Sequence, residues 1–330
     1  MNKLAEHSER MRAPKARSHE TIHHFRVKPA DVGILGFVDG GTLLEWFDTA
    51  AQATATQWCD GNCVVASVGN VHLDRPIGVG EILEVHATLV YTGRSTMHIL
   101  ITAYCGDPTR AKAGQTAQCP IIFVAVDDEG NPAEVPRWTP VTMLDLQRHR
   151  QARVRIRMRK RIEAAMSAQT YTAEGTAPRA TLRFLAAPSD VNSDGRVRAG
   201  RVMRWVDEAA FVCGADWTGA DVIASYLAGV RFHRPIVIGD VIDVTARIIH
   251  TGPRSVHVSI HVTATSGGQL VANGLSVVVS LDGRGEAREA PPWEPASAED
   301  RRLDQHARHL IELRQFIEPF TTSTADVRRS

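Results

Sequence analysis

Long apolar runs are missing from this chain of 330 residues. Nowhere do about 18 apolar residues stand together, so no membrane-spanning helix is expected. The opening MNKLAEHSERMRAPKARSHE has no apolar centre of the kind a secretion signal needs. An excess of one charge sign is missing too. The 38 Lys and Arg nearly balance the 37 Asp and Glu, for a formal net charge of +1. That argues against a protein-wide footprint for nucleic acid, though it leaves room for a local patch. Cysteine is scarce, at five residues. An odd count in a long chain suits a reducing, cytoplasmic compartment. Cys59 and Cys63 have no second pair at zinc-site spacing, so they read as small buried apolar residues and no metal is expected.

What is present is an ordinary globular composition, 43% hydrophobic and 23% charged. The length exceeds the roughly 250–300 residues at which a single core stops growing. The chain also repeats itself. Residues 38–51 read VDGGTLLEWFDTAA and residues 197–210 read VRAGRVMRWVDEAA, with Asp48 and Asp207 159 residues apart (207 − 48). The same offset links VHLDRPIGVGE from Val71 to VRFHRPIVIGD from Val230, and YTGRSTMHI from Tyr91 to HTGPRSVHV from His250. Trp138 of VPRWTP and Trp293 of APPWEP are 155 apart, so one hairpin of the second half lacks about four residues. A single period of this length marks a duplicated domain rather than a solenoid array, whose repeats run roughly 20–50 residues.

Each half predicts the same elements. HHFRVKPAD is a short strand ended by Pro29, and the glycine-rich VGILGFVDGG follows it. TLLEWFDTAAQATATQWC then spaces Leu43, Leu44, Trp46, Phe47, Ala50, Ala51 and Ala55 as a deeply buried helix. VVASVGNVHL reads as one strand before the Arg75-Pro76 turn. EILEVHATLVYTG, STMHILITAYCG and QCPIIFVAVDDEG supply three more. A long helix wrapped by about five antiparallel strands is an α+β architecture. Charged helical tails are expected over roughly 141–166 and 296–318, and Ile162-Glu163 and Ile317-Glu318 echo each other there. The basic run 148–161, RHRQARVRIRMRKR, alternates like a strand, but its register against the second tail favours a helix. A solvated helix face is the preferred reading of that run over a phosphate or nucleic-acid patch. The expected organisation is a polar segment 1–18, a first domain 19–140, a basic helical tail and linker 141–178, a second domain 179–295, and a helical tail 296–330.

The order of strand, loop, Gly-Gly, helix with Asp, then the Arg-Pro-Ile and Thr-Gly segments resembles the acyl-CoA thioesterase hot-dog family. Two such units in tandem are similar to the double-hot-dog cytosolic acyl-CoA hydrolases. The resemblance implies a tandem hot-dog fold, each unit a long helix wrapped by an antiparallel sheet. It implies thioester hydrolysis in fatty acid metabolism, with acyl-CoA as substrate and no cofactor. It also implies a trimer of double hot-dog chains.

The family's site combines a loop Asn, a backbone N–H at a helix N-terminus and a carboxylate from the facing helix. Asn192 stands eight residues before Gly200 and fifteen before Asp207, which matches that spacing. In the first half Gly33 replaces the Asn, while Gly41 and Asp48 remain. Because each loop faces the other half's helix, the resemblance implies one complete site of Asn192, Gly200 and Asp48. A second, degenerate site of Gly33, Gly41 and Asp207 accompanies it. Arg94, Ser95, Thr96, Arg254 and Ser255 match the family region that lies near the coenzyme A chain.

Chemistry gives these residue types a purpose. Thioester hydrolysis builds negative charge on a carbonyl oxygen, which a helix N-terminal N–H stabilises. A buried carboxylate serves as general base or nucleophile, and burial raises its pKa. The plainer reading is that each Asp pairs with an arginine or caps a neighbouring strand. Asn192 alone would be a turn residue. His72, His233, His98 and His257 are assigned no catalytic role. A hot-dog hydratase would want a histidine in or near the loops, and VGILGFVDGG and VNSDGRVRAG have none. A non-catalytic acyl-CoA-binding module remains a third reading, separated from the hydrolase by release of free thiol.

Overall fold

The computed structural model describes residues 17–321 except 34, 74, 107–113, 173, 174, 283, 284, 315, 316 and 318. The expected polar segment 1–18 lies almost wholly outside the described residues. Helix α1 spans Gly40–Cys59. Its buried Leu43, Phe47, Ala50, Ala51, Thr54, Ala55 and Trp58 recur at the three- and four-residue steps of one helix face. Asp39 caps it by accepting from the Thr42 N–H at 2.6 Å, and Asp60 ends it in the left-handed region at φ 51°. The equivalent helix of the second half, α3, spans Ala199–Thr218 and ends at Gly219, φ 62°. The shared Trp packs alike in both halves. Phe25 stacks on Trp46 at 5.1 Å and 11°, and Phe184 on Trp205 at 5.0 Å and 13°.

The strands of the first half are β1 Glu20–Arg26, β2 Cys63–Val68, β3 His72–Leu73, β4 Ile82–Thr92, β5 Thr96–Gly106 and β6 Gly114–Ala125. Those of the second are β7 Arg179–Leu185, β8 Val222–Phe232, β9 Val241–Thr251, β10 Ser255–Ala264 and β11 Gln269–Ser280. They form one 11-stranded sheet in the order β1-β4-β5-β6-β2-β8-β11-β10-β9-β7, with β3 on β6. The halves join where Ser67 and Val68 of β2 pair with Arg231 and Val230 of β8. The molecule is therefore α+β, two hot-dog units with one continuous antiparallel sheet. VVASVGNVHL, expected as one strand, is broken into β2 and β3. Gly69 interrupts it by pressing against Pro120, whose ring would lie 2.6 Å from any added Cβ, and which offers its carbonyl to the Gly69 N–H at 2.7 Å but has no N–H to return.

The two faces of the sheet carry different layers. Leu89, Ile99 and Ile101 join the core around α1, whereas Val90 and Leu100 pack with Ala152 of helix α2, Met143–Ser167. The alternation of strand side chains thus puts α1 and α2 on opposite faces. Helix α4, Ala298–Arg314, does the same in the second half through Leu303, Ala307 and Leu310 on Ile249. Val90 and Ile249 are the unpaired residues of matching β-bulges, which turn them towards these outer helices.

The outer helices differ from the sequence reading in two respects. The basic run is helical, but it is not wholly a solvated face: Arg148 is buried and its Nε donates to the Thr321 carbonyl at 3.0 Å. The second tail ends as a helix at Arg314, short of the expected 318, and Ile317 lies beyond it. Pro319 disfavours helical geometry in the residue before it, and the chain instead docks Phe320 on Gln118 by reciprocal 3.0 Å hydrogen bonds. Glu318 lies outside the described residues.

The N-terminus of α4 is fixed by a buried ion cluster. Arg247 Nη1 lies 2.8 Å from Glu299 and Nη2 lies 2.7 Å from Asp300. Thr172 and Thr176 of the inter-domain linker donate to the same two carboxylates. Removing only the cation would leave two buried carboxylates without their main compensation, a change that costs roughly 3–5 kcal/mol. Arg247→Met should therefore lower stability by that order in urea denaturation. A loss below 1 kcal/mol would contradict the description of this cluster as the anchor of α4.

Candidate active site

Helices α1 and α3 run side by side and antiparallel, so the N-terminus of each meets the middle of the other. The contact is closest at two glycines in equivalent places. A Cβ on Gly200 would stand 2.7 Å from Glu45 Cα, and one on Gly41 2.7 Å from Arg204 Cγ. Without a side chain between them, each glycine N–H reaches the carboxylate of the facing helix. Gly200 donates to Asp48 Oδ2 at 2.9 Å and Gly41 donates to Asp207 Oδ2 at 3.0 Å. The plain alternative, an aspartate satisfied by an arginine ion pair, is thus not the arrangement at Asp48, whose hydrogen-bond partner is a backbone N–H.

Electrostatics separates the two carboxylates. Asp48 is 9% exposed, and burial pushes it up to about 6, held back by the Gly200 N–H and the nearby Arg198 charge, with Glu45 pushing the other way. Asp207 is half-buried. Burial and then the neighbouring Asp39 charge push it up to about 7, against the Gly41 N–H and Arg204. The residues before the two helices have opposite charge, Arg198 at one and Asp39 at the other. Sequence reasoning passed over this difference, although it is visible where VDGG is set against VRAG. Asp39 is occupied as the cap of α1, whereas Arg198 makes no side-chain cap on α3.

Asn192 sits in a tight loop closed by the Val191–Val197 bridge. Its Oδ1 accepts from the N–H groups of Asp194 and Arg196, both at 3.1 Å. The carbonyl of the amide is therefore engaged in shaping the loop, which leaves Nδ2 as its donor. The loop is pinned beside α3 by Val197, which donates to the Ile236 carbonyl at 2.8 Å. Gly33 closes the matching loop by donating to Phe37 at 2.9 Å, and a Cβ there would meet Asp39 Cβ at 3.4 Å, an ordinary contact. Among the described residues no hydrogen bond joins Asn192 to Asp48 or Gly200. The structure brings Asp48 and Gly200 together and places Asn192 at the foot of the same helix.

The other residues singled out in the sequence lie elsewhere. Arg94 and Ser95 lie in the tip between β4 and β5 and Thr96 opens β5, while Arg254 lies in the tip between β9 and β10 and Ser255 opens β10. Arg94 is paired with Glu134 at 2.9 Å on an open surface, with 86% of its side chain exposed. Ser255 Oγ lies 3.3 Å from His257 Nε2. None of the five has a hydrogen bond to Asp48, Asn192 or Asp207 among the described residues. His98 is buried on the outer face of the sheet, away from both carboxylates.

The thioesterase superfamily profile matches this chain twice, at residues 35–112 and 195–271. The two matches begin in the loops before α1 and α3 and so cover each helix N-terminus and its aspartate. The chain belongs to the thioesterase superfamily. Cytosolic acyl coenzyme A thioester hydrolase of Mus musculus is 22% identical over 322 residues, covering 88% of this chain and 84% of that protein. Protein VdlD of Helicobacter pylori is 29% identical over 137 residues, 42% of this chain and 78% of that protein. A crystal structure of an acyl-ACP thioesterase from Bacteroides thetaiotaomicron shares the fold, with TM-score 0.53 at 13% identity, over 79% of this chain and 98% of that one.

In this thioesterase-superfamily chain the raised pKa of Asp48 has a consequence for stability. Its pKa in the folded chain is about 6, above the ordinary 3.8. Between those values the folded state holds a proton that the unfolded state has lost, so stability falls as pH rises through the interval. The difference corresponds to about 3 kcal/mol of cost above pH 6. Asp48→Asn, which keeps an acceptor for Gly200, should gain up to about that much at pH 8 and little at pH 4. Urea denaturation at the two pH values measures it. A net loss at pH 8 would sink the account of Asp48 as a buried, ionised carboxylate.

Proposed function

We propose that this chain hydrolyses acyl-CoA thioesters to free acid and coenzyme A, at a composite site in which Asp48 of one half works beside Gly200 and Asn192 of the other. The observation that carries the reading is the Gly200 N–H on Asp48 Oδ2 at 2.9 Å across the two halves. Oδ2 is held, so Oδ1 is the oxygen that takes a proton from water as the water oxygen attacks the thioester carbonyl carbon. A carboxylate shifted up to about 6 accepts that proton more readily than an ordinary one. As Asp48 becomes neutral its grip on the Gly200 N–H weakens, because hydrogen bonds to charged acceptors are the stronger ones. The same N–H, with the helix dipole behind it, is then released towards the oxyanion forming on the carbonyl. Collapse of the tetrahedral intermediate breaks the C–S bond, and the thiolate recovers the proton from Asp48. Asn192 Nδ2 supplies an uncharged donor that orients water or the thioester.

The site of Asp207, Gly41 and Gly33 lacks the amide and has Asp39 where the first has Arg198. An added negative charge opposes both carboxylate ionisation and oxyanion formation, so we read that site as degenerate. Arg94 and Arg254 offer guanidinium groups to the phosphate end of the substrate. The setting is reducing and cytoplasmic in this reading, consistent with five unpaired cysteines.

Thiol release from a panel of acetyl- to palmitoyl- and aryl-CoAs tests the reaction. Removing a positioned base or donor costs roughly 10²–10⁴ in rate, so Asp48→Ala and Asn192→Ala should each fall by that order while Asp207→Ala keeps most activity. Activity should drop below about pH 6 as Asp48 takes up its proton. Loss with Asp207→Ala and survival of Asp48→Ala would reverse the assignment of the two sites.

Further assembly belongs to the same proposal: a trimer of double units. Val79 and Ile238, equivalent in the repeat, are 51% and 49% exposed beside exposed Phe37 and Val237, and supply apolar surface for it. Light scattering at micromolar concentration should return three times the chain mass of 36.1 kDa. A value of one chain mass overturns it.

A further inference from the structure

A cavity of about 100 Å³ lies on the face of the sheet away from Asp48, roofed by α2 and by the chain after α4. Val90, Ile122, Ile156, Ile162 and Phe320 give it apolar walls. Its charged lining is of one sign: Arg155, Arg159 and Arg314, with no carboxylate among the described lining residues. Arg159 and Arg314 are equivalent positions in the two tails, as are Ile162 and Ile317, so the duplication itself sets two arginines at one cavity. Arg155 lies over the Phe320 ring at 4.1 Å. Glu163 is shared between Arg159 at 3.4 Å and Arg231 at 4.0 Å. Arg159 Nε is buried and lacks the alignment of a hydrogen bond.

His98 adds a second, independent sign of a ligand. It lines the cavity and is only 8% exposed, yet no hydrogen bond to it is found among the described residues, and its ring meets Tyr91 edge-on at 5.1 Å. Burial and the Arg159 charge push it down to about 3, so the imidazole is neutral. A neutral imidazole keeps one N–H to donate. A buried polar group of this kind ordinarily has a partner.

We propose that this cavity is a second ligand site of the protein, for a short-chain carboxylate. The arginines answer the head group, His98 donates to it, and the apolar walls take the hydrocarbon. The volume is below the roughly 150 Å³ of a cavity that holds benzene and equals about three waters, which suits propionate or butyrate rather than a long chain. Hydrolysis of a short acyl thioester releases an acid of this class, so the site would respond to product. That last link rests on the function proposed above. The binding itself does not.

Titration calorimetry of the full chain with sodium butyrate, against its uncharged isostere butyramide, tests the site. Saturable binding of butyrate, at least tenfold tighter than that of butyramide, is expected. Arg159→Gln should weaken it tenfold or more, and Ile156→Trp, which fills the cavity, should abolish it. Asp48→Asn should leave it unchanged, and the His98 Cε1–H resonance should move on titration. Absence of saturable binding, equal binding of butyrate and butyramide, or loss with Asp48→Asn but not with Arg159→Gln would overturn the proposal. Butyrate binding as expected, in a chain that releases no thiol from any acyl-CoA, would refute the hydrolase reading alone.

Discussion

Two backbone N–H groups and two carboxylates, exchanged between antiparallel helices, are the constraint on which the rest of the structure depends. A helix N-terminus has donors without internal partners, and a carboxylate on an apolar helix has a charge without solvent. Each answers the other's need. The exchange requires the helices to approach more closely than any side chain permits, which is why Gly41 and Gly200 occupy the crossing. That approach in turn fixes how the halves abut, and so brings β2 beside β8 and makes two sheets one. Packing, hydrogen bonding and the candidate chemistry are consequences of one short contact made twice.

Duplication did not keep the two contacts equal. The geometry is the same to within 0.1 Å, 2.9 against 3.0 Å, but the field is not. Arg198 stands before one helix and Asp39 before the other, and the loops differ by Asn192 against Gly33. A backbone hydrogen bond tolerates such changes because it needs only that the helix begin in the right place. A charge-dependent reaction does not tolerate them. The Asp207 carboxylate is therefore held by the same backbone contact as Asp48, in a field of the opposite sign.

Much of this was legible in the residues. A constant offset with aspartate, tryptophan and glycine in register marked the two units and the long central helices, and the family resemblance implied the pairing of Asp48 with Gly200. What escaped has identifiable physical causes. The bulges at Val90 and Ile249 are one-residue slips that leave the alternation of apolar residues intact on either side. The split of β2 from β3 depends on Pro120, which lies fifty residues along the chain and acts across the sheet. The burial of Arg148 depends on an acceptor at Thr321, and the early end of α4 on a turn that trades helix for the Phe320 contact. The opposite charges at 39 and 198 were visible, but their effect depends on which helix faces which.

The clasp between Phe320 and Gln118 ties the segment after α4 to the first unit, across 202 residues. On a ribosome, Gln118 emerges long before its partner exists. At about 5–20 residues per second the gap corresponds to roughly 10–40 seconds of synthesis. Through that interval the outer face of β6 has no strap, and β2 presents an open edge until β8 arrives to meet it. The nascent first unit is thus an unfinished surface through that interval, until Phe320 arrives to close it.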